Sequence, residues 1–254
     1  MNKMDFSNKV VLVTGASSGI GAATAMAFAE QGAQVVLADV DTDRGAMVTQ
    51  KVKDLGAKAL FVKCDVGQEA DIKNMVNKCI ETFGRLDVAF NNAGIEGEQG
   101  STVDCTTKNW DRVISVNLTS VWLCMKYQIP QMLKQGSGSI VNCSSIAGKV
   151  GFPGIPAYVA SKHGVIGLTK TAALENAKSN IRINAICPGV IQTPMIERFV
   201  HGEASIQKAL VEGEPMGRAG EPNEIADAVL WLSSPGASFV TGHALVADGG
   251  WVVQ

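Results

Sequence analysis

The fold is decided near the amino terminus by Val10-Val11-Leu12-Val13-Thr14-Gly15-Ala16-Ser17-Ser18-Gly19-Ile20-Gly21. Its first five residues are apolar or β-branched, which is typical of a buried strand. Gly15, Gly19 and Gly21 then mark a turn, and a helix is predicted to begin near Ile20. The free N–H groups and the dipole of a helix amino terminus favour anions, so the turn is predicted to hold a pyrophosphate. The spacing G-x-x-x-G-x-G differs from the common G-x-G-x-x-G fingerprint, and an ordinary tight turn remains an alternative.

The same alternation of short apolar runs and helix-length amphipathic segments continues along the chain. The predicted strands cover residues 10–14, 34–39, 59–64, 86–91, 139–144, 181–187 and 244–247. The predicted helices cover residues 20–31, 42–55, 69–83, 107–133, 157–177 and 221–233. Nearly continuous hydrophobic strands separated by helices indicate a parallel sheet that is covered on both faces. We therefore expect a single α/β domain over residues 1–254, with a Rossmann-type, doubly wound, seven-stranded parallel sheet.

Composition narrows the classes of partner. The chain of 254 residues has a net charge of −2, so no basic field suggests nucleic acid or an anionic membrane. It has no apolar span of membrane length, and we expect a soluble, cytoplasmic protein. The six cysteines form no C-x-x-C pair, and the three histidines lie far apart, so no metal site is predicted.

Asp39 ends the second predicted strand, 24 residues after Gly15. A carboxylate at this place would accept hydrogen bonds from the hydroxyls of an adenosine ribose. It would also repel a 2′-phosphate, so we expect NAD in preference to NADP. Arg44 is a nearby cation that leaves NADP open, and a solvated carboxylate beside a helix is the alternative reading of Asp39.

Tyr158 and Lys162 are four positions apart and therefore share one face of a predicted helix. The Lys162 ammonium would favour the ionised form of the Tyr158 hydroxyl, which makes that hydroxyl a candidate general base. Ser145 lies thirteen residues upstream of Tyr158. Ser144 is the alternative serine, but the alternation of strand faces and the thirteen-residue offset favour Ser145. The other tyrosine, Tyr127, lies in a long apolar helix where packing explains it.

Over essentially its full length the chain resembles the short-chain dehydrogenase/reductase family. The matching motifs are Thr14-Gly15-x-x-x-Gly19-x-Gly21, Asp65-Val66, Asn91-Asn92-Ala93-Gly94, Asn117, Ser145, Tyr158-x-x-x-Lys162, Pro188-Gly189 and Thr193. They occur in the expected order and between the expected elements. The resemblance implies a dehydrogenase or reductase that moves a hydride between a CH–OH carbon and a nicotinamide ring.

The resemblance also implies roles for individual residues. Tyr158 would exchange a proton with the substrate oxygen, and Ser145 would hydrogen-bond that oxygen. Lys162 would assist Tyr158 and hold the nicotinamide ribose, while Asn117 would anchor a water that links Lys162 to solvent. A plain helix-face amide is the alternative for Asn117. The implied cofactor contacts are Gly15, Ser17, Ser18, Gly19, Ile20, Gly21, Asp39, Asp65, Val66, Asn92, Ala93, Gly94, Tyr158, Lys162, Pro188, Gly189, Ile191 and Thr193.

The substrate pocket is predicted from residues near the strand ends. The candidates are Ile95, Glu96, Ile146, Val150, Phe152, Ile155, Val190, Met195 and Phe199. Most of them are apolar, which suits a secondary alcohol or ketone with a modest carbon skeleton. Glu96 could hydrogen-bond a hydroxylated substrate. A polyol or sugar, a steroid and a 3-oxoacyl substrate remain alternatives.

Residues 193–216 carry apolar side chains among charged ones and are predicted to form a mobile helical lid. A plain surface helix pair is the alternative. The resemblance further implies a homotetramer, because members of the family commonly form tetramers. A dinucleotide-sensing protein without turnover is disfavoured, since Ser145, Tyr158 and Lys162 are all present. An epimerase or dehydratase is disfavoured by the lack of a longer carboxyl-terminal substrate domain.

Overall fold

The computed structural model describes residues 4–200 and 213–254. Within these ranges seven parallel strands form one sheet in the order β3-β2-β1-β4-β5-β6-β7. The strands are β1 (Val10–Thr14), β2 (Gln34–Asp39), β3 (Ala59–Lys63), β4 (Val88–Asn91), β5 (Gly138–Cys143), β6 (Ile181–Pro188) and β7 (Ala244–Ala247). The predicted doubly wound parallel sheet is confirmed.

Helices connect the strands and cover both faces of the sheet. They are α1 (Gly19–Glu30), α2 (Thr42–Asp54), α3 (Glu69–Phe83), α4 (Thr107–Ile114), α5 (Ser120–Gln135), α6 (Pro156–Asn176), α7 (Pro194–Phe199) and α8 (Pro222–Ser233). No helix of the described residues is long and apolar enough to cross a membrane.

Two hydrophobic cores follow from the alternation of side chains along each strand. In β1, Val10 and Leu12 pack into the core that contains apolar residues of α3, α5 and α6. Val11 and Val13 point to the opposite face and pack with apolar residues of α1, α2 and α8. All four side chains are fully buried, and β1 lies between β2 and β4, so this interior strand is a rigid support for the turn that follows it.

A chain of buried side-chain hydrogen bonds crosses the first of these cores. The Asn91 and Gln128 amides bond to each other at 2.8 and 3.1 Å, and Asn91 also donates to Asn142 at 2.9 Å. Asn142 donates in turn to Thr169 at 3.0 Å. These groups belong to β4, α5, β5 and α6, so the network fixes the relative positions of the elements that carry the candidate site.

One strand begins later than predicted. The sequence predicts Leu86 as the start of an apolar strand, and Leu86 is buried, but β4 begins at Val88. The Gln135 side chain accepts from Leu86 N and donates to Leu86 O, both at 2.9 Å. The backbone of Leu86 is therefore satisfied by a side chain of α5 and does not need a neighbouring strand.

The predicted helix over residues 107–133 is interrupted. Residues Ser115–Thr119 form a π-helical segment between α4 and α5. A π segment inserts one extra residue into a helical turn, and such segments are frequent at functional sites. Asn117 lies in this segment. The local sequence contains no glycine or proline that would have marked the interruption.

The order of the strands reverses at β1, because the chain moves from β1 to β2 and β3 and later returns to β4 on the other side. In such a sheet the carboxyl ends of the central strands leave a crevice between their loops. Of the predicted lid, the structure describes α7 and the turn that begins at residue 213, and residues 201–212 lie outside the described part.

Candidate active site

A cavity of about 730 Å³ opens at the carboxyl ends of the strands. It extends past the glycine turn, the end of β2, the loops after β3, β4 and β5, and helix α7. Almost all predicted site residues line it, and they come from segments that are far apart in the sequence. The sheet topology is therefore what brings them together.

The glycine turn forms one wall of the cavity. Gly15 has a positive φ of 65°, which glycine adopts without strain. A Cβ at Gly21 would overlap the Gly15 carbonyl oxygen and would lie 2.7 Å from Nδ2 of Asn92. Gly21 does not line the cavity, and its lack of a side chain lets α1 approach the turn; its predicted cofactor contact stays a prediction.

The amino terminus of α1 is open to an anion. Ser18 is the N-cap residue, and its side chain makes no capping hydrogen bond to any described residue. The first turn of α1 carries no acidic side chain. Among the described residues no acidic side chain caps the free N–H groups of α1, and Ser18, Gly19 and Ile20 line the cavity beside them. The turn fits the pyrophosphate of a dinucleotide.

Asp39 organises the wall at the end of β2. Its carboxylate accepts from Ser17 N and from Asp41 N, both at 3.0 Å. The Ser17 hydroxyl donates to Asp41 O at 3.1 Å, and Arg44 pairs with Asp41 at 3.5 Å. Asp39 thus holds the glycine turn and the following loop together while its carboxylate borders the cavity.

The loop after β3 forms the far end of the same wall. Cys64, Asp65 and Val66 line the cavity. Asp65 accepts from Gly67 N at 2.9 Å, and its own N–H donates to Asp71 at 3.0 Å. The loop is therefore held in place by local hydrogen bonds, with Val66 as an apolar surface.

Asn92 and Thr14 fasten the loop after β4 to the glycine turn. The Asn92 amide donates to Thr14 O at 3.0 Å and to Gly15 O at 3.3 Å. The Thr14 hydroxyl accepts from the backbone N–H groups of Asn92 and Ala93 at 2.9 and 3.1 Å. Asn92, Ala93 and Gly94 line the cavity, but the Asn92 side chain is used to hold the two loops together.

Ser145 and Tyr158 line the half of the cavity beyond the glycine turn. Ser145 follows β5, and its Oγ accepts from Ala147 N at 3.1 Å. The alternative serine, Ser144, is buried and donates to the backbone oxygen of Lys162 at 2.9 Å. Both serines line the cavity, but the Ser144 hydroxyl is committed to a backbone carbonyl, whereas the Ser145 hydroxyl only accepts from Ala147 N.

Lys162 is a buried ammonium group with only 4% of its surface exposed. It donates to Cys143 O at 2.9 Å, and its Nζ lies 5.5 Å from the centre of the Tyr158 ring. A buried charge is costly unless it has a partner, so the Cys143 carbonyl and the cavity itself stabilise it. The helical spacing of four residues brings Tyr158 and Lys162 together as predicted.

Asn117 supports the site from outside the cavity. It is fully buried, accepts from Ile95 N at 2.8 Å and donates to Ile95 O at 2.8 Å. Its amide also lies 3.3 Å from the Ser161 hydroxyl, next to Lys162 in α6. Asn117 does not line the cavity, so the structure places it as a support of the loop after β4 and of α6.

The half of the cavity that Ser145 and Tyr158 line is mainly apolar. Of the nine predicted pocket residues, eight line the cavity: Ile95, Glu96, Ile146, Phe152, Ile155, Val190, Met195 and Phe199. Val150 does not, because the chain turns back in the 3₁₀ segment after Ser145 and Val150 N bonds to Ile146 O at 3.0 Å. Phe152 is backed by Trp251, whose ring centre lies 4.9 Å away.

One charged pair interrupts this apolar half. Glu96, in the loop after β4, pairs with Arg198 of α7 through two hydrogen bonds of 2.8 and 3.3 Å. The Glu96 carboxylate raises the pKa of the Arg198 guanidinium. The Gln99 side chain also donates to Phe199 O at 3.1 Å. Together these contacts tie α7 to the loop after β4.

Sequence reasoning missed several lining residues. They are Val40, Asp41, Cys64, Gly67, Gln68, Arg112, Ser115, Val116, Cys143, Ala147, Pro194, Ile196 and Arg198. Most are neighbours of predicted residues and follow from the same loops. Arg198 carried a signal, because it is a charged residue in a segment already predicted to cover the site.

The buried cysteines are poor nucleophiles. All six are free, and five of them are buried. Burial, followed by the nearby Asp71, raises the pKa of Cys64 to about 12, and burial raises the pKa of Cys143. Both thiols border the cavity but stay protonated near neutral pH. Among the described residues no cluster of histidine, cysteine, aspartate and glutamate could hold a metal ion.

Comparison with known proteins agrees with this geometry. A family model described as enoyl-(acyl carrier protein) reductase matches residues 15–252. Cyclohexanol dehydrogenase from Acinetobacter sp. (strain SE19) is 47% identical over 246 residues, which cover 97% of this chain and 96% of that protein.

Two solved structures are similar over nearly the whole chain. Levodione reductase superposes with a TM-score of 0.95 at 39% identity and covers 98% of this chain and 99% of its own. NAD⁺-bound xylitol dehydrogenase superposes with a TM-score of 0.93 at 36% identity, and the match covers 96% of this chain and 99% of that structure's chain. The glycine turn and the Ser145, Tyr158 and Lys162 side chains lie around one cavity, and the relatives match nearly the whole chain. The chain therefore belongs to the short-chain dehydrogenase/reductase family.

Proposed function

We propose that this protein is an NAD(H)-dependent oxidoreductase that interconverts a secondary alcohol and a ketone. The observation that supports it most directly is the shape of the cavity, which joins the open amino terminus of α1 to the side chains of Ser145 and Tyr158. A dinucleotide held at the first end would reach the second with its nicotinamide. The relatives are a cyclohexanol dehydrogenase and a levodione reductase, which agrees with this reaction class.

Each side chain of the site has a task in this reaction. When bound, the nicotinamide supplies the chemistry of accepting a hydride from the alcohol carbon or returning it to the ketone. Tyr158 takes the hydroxyl proton during oxidation and gives it back during reduction. Ser145 donates a hydrogen bond to the oxygen on which negative charge develops. Lys162 places a positive charge beside Tyr158, with its Nζ 5.5 Å from the centre of the Tyr158 ring.

For the cofactor we propose NAD rather than NADP. Asp39 is an acidic group at the end of β2, and its carboxylate borders the cavity where the adenosine ribose would lie. A 2′-phosphate there would meet like charge. Arg44 is the cation that could oppose this preference, but it is paired with Asp41 and 61% exposed. The NAD⁺-bound xylitol dehydrogenase is a relative with the proposed cofactor.

For the substrate we propose a secondary alcohol or ketone with a small, mainly hydrocarbon ring. Ile95, Ile155, Phe152 and Phe199 provide apolar walls around the Tyr158 side of the cavity. A polyol or sugar would leave several hydroxyls against these walls without partners, at a cost for each one. Cyclohexanol, which gives its name to a 47% identical dehydrogenase, is a secondary alcohol with such a hydrocarbon ring.

We further propose that residues 1–254 form a single domain and that the protein is a homotetramer. The exposed apolar side chains Trp122 of α5, Leu174 of α6 and Phe239 before β7 support an assembly. We also keep the prediction, made from the sequence, that the protein is cytoplasmic.

Replacing Tyr158 by Phe tests the proposed reaction. The change removes only the hydroxyl, so kcat for cyclohexanol oxidation is expected to fall roughly a hundredfold to ten-thousandfold while NADH binding changes little. NADH and NADPH titrations followed by nicotinamide fluorescence measure binding, and the nicotinamide absorbance measures turnover. The matched control is Tyr127→Phe, which removes a hydroxyl bonded to Glu69 outside the cavity.

Three outcomes would contradict the proposal. Retained turnover in Tyr158→Phe would remove the proton-transfer role. Equal losses in Tyr158→Phe and Tyr127→Phe would indicate a general effect on folding. Tighter binding of NADPH than of NADH by the wild-type protein would overturn the argument from Asp39.

A further inference from the structure

The Glu96–Arg198 pair lies on the wall of the cavity. Glu96 lies two residues after Gly94, whose backbone is close to the Lys162 ammonium and the Asn117 amide, and Glu96 lines the same cavity as Tyr158. Arg198 reaches it from α7 with Nε and a terminal nitrogen, at 2.8 and 3.3 Å from the two carboxylate oxygens. This two-point contact fixes both charged groups in one plane.

The surroundings of the pair determine how strongly its charged groups interact with a bound ligand. Both residues line the cavity together with Ile95, Met195 and Phe199. The Glu96 side chain is 21% exposed and that of Arg198 is 57% exposed, so the carboxylate is partly withdrawn from water while the guanidinium keeps more of its hydration. Partial burial strengthens the interaction of a charge with a bound ligand relative to a fully solvated charge.

The pair still has hydrogen-bonding capacity for a ligand. A guanidinium carries five N–H donors, and Glu96 occupies two of them. Each carboxylate oxygen keeps a free lone pair after accepting one hydrogen bond. The pair can therefore donate to a carbonyl or hydroxyl oxygen and accept from a hydroxyl, without being broken.

The same pair disfavours an anion. A ligand carboxylate near Arg198 also lies near Glu96, so attraction and repulsion largely cancel. The anion would then lose its hydration without a net electrostatic gain. Opening the pair to free Arg198 would leave Glu96 partly buried without its partner.

We infer that the Glu96–Arg198 pair makes this site selective for uncharged cyclic alcohols or ketones that carry a second oxygen, and makes it reject carboxylate-bearing analogues. The inference rests on the proposed function and narrows its substrate class. Arg198 acts as a positioning residue that holds Glu96. The pair would hydrogen-bond the second oxygen of the substrate, on the part of the ring remote from the reacting carbon.

The test uses three substrates that differ at one position of the ring: cyclohexanol, cyclohexane-1,4-diol and 4-hydroxycyclohexanecarboxylate. For the wild-type protein, kcat/KM is expected to be highest for the diol and lowest for the acid. Glu96→Gln keeps the size of the side chain and removes its negative charge. The ratio of kcat/KM for the acid to that for cyclohexanol is then expected to rise about tenfold.

A matched control is Glu81→Gln. Glu81 lies on α3 in an exposed pair with Lys78 at 2.8 Å, so the substitution makes the same change in net charge outside the cavity. Its acid-to-cyclohexanol ratio is expected to equal that of the wild type. Thermal unfolding and NADH titration of both variants show whether each one is folded and holds the cofactor.

The outcomes separate this inference from the proposed function. If the wild type oxidises none of the three alcohols, the proposed function fails. If it oxidises cyclohexanol but Glu96→Gln and Glu81→Gln have the same ratio, or if the wild type prefers the acid, the inference is overturned. A Glu96→Gln variant that instead binds NADH more tightly would place Arg198 on the cofactor and also overturn it.

Discussion

Several residues of this site line the cavity and also form hydrogen bonds that hold its loops and strands in place. Asp39 borders the cavity and also accepts two backbone hydrogen bonds that join the glycine turn to the loop after β2. Lys162 faces Tyr158 while its ammonium is held by a backbone carbonyl of β5. A substitution at such a residue changes both the chemistry and the shape of the cavity, so conservative replacements are the informative ones.

Glu214 is a buried carboxyl group that the proposed reaction does not use. It is 4% exposed and accepts from Val190 N at 2.8 Å, which fixes the loop between β6 and α7. Burial is the main cause that raises its pKa above the ordinary value of 4.5, and the nearby Asp248 raises it further. The Val190 N–H and Arg218 act in the opposite direction.

The raised pKa of Glu214 predicts a dependence of stability on pH. The native state binds this proton more tightly than the unfolded state, so the contribution of Glu214 is complete below pH 4.5 and is lost as the pH rises through its native pKa. Glu214→Gln imitates the protonated form. Relative to the wild type, its Tm is therefore expected to increase as the pH is raised.

Thermal unfolding of both proteins between about pH 4 and 8 checks this expectation. Glu81→Gln, at an exposed position of α3, is the control for the loss of a carboxylate. A constant Tm difference between Glu214→Gln and the wild type over this range would contradict the prediction.

Elements meet at this site through close approaches that a side chain would block. The strand-to-helix turn brings α1 next to the Gly15 carbonyl and the Asn92 amide. At the π segment between α4 and α5, the helix path changes and Asn117 reaches both backbone groups of Ile95. In each case the position of an element, rather than a catalytic group, gives the residue its importance.

Gly21→Ala tests the close approach of α1. The added Cβ would overlap the Gly15 carbonyl oxygen, so the turn and the helix must separate. The free energy of unfolding is expected to fall by about 1–3 kcal/mol, as for other overpacked sites. NADH binding is expected to weaken as well, because the turn changes shape.

Denaturant unfolding and NADH titration measure these two effects. Gly151→Ala is the control, since a Cβ there meets no atom within 4 Å. Unchanged stability and NADH affinity in Gly21→Ala would show that the turn absorbs a methyl group and would refute the steric role.

The whole molecule combines a sheet that is covered on both faces with apolar side chains left on its surface. Leu174 of α6 is 83% exposed, and Phe239 is fully exposed. Apolar side chains of this size are the kind that subunit contacts remove from water. Burial between subunits would remove them from water, which is the physical basis of the proposed tetramer.

Analytical ultracentrifugation is expected to show a particle of four chains of 26.7 kDa. A charge at a buried interface is costly, so Leu174→Arg or Phe239→Asp is expected to reduce the mass to that of a smaller assembly. Met47→Arg, at an exposed position of α2, is the control and should keep the wild-type mass. A monomeric wild-type protein would rule out the tetramer.

Local patterns in the sequence were sufficient for the architecture and for the principal site residues. Apolar runs and helical periodicity predicted the parallel sheet with its helices, because each depends on residues close in the chain. For the same reason the face shared by Tyr158 and Lys162 was predictable. The resemblance to a known family then supplied the remaining motifs, such as Asn92 to Gly94.

Only the tertiary structure decided how distant segments meet. The pairing of Glu96 with Arg198, the support of Ile95 by Asn117 and the binding of the Leu86 backbone by Gln135 join residues separated by 22 to 102 positions. The same packing leaves Val150 outside the cavity and gives Gly21 a steric role. Such contacts depend on the crossover geometry of the whole sheet, whereas periodicity records only which face of its own element a residue occupies.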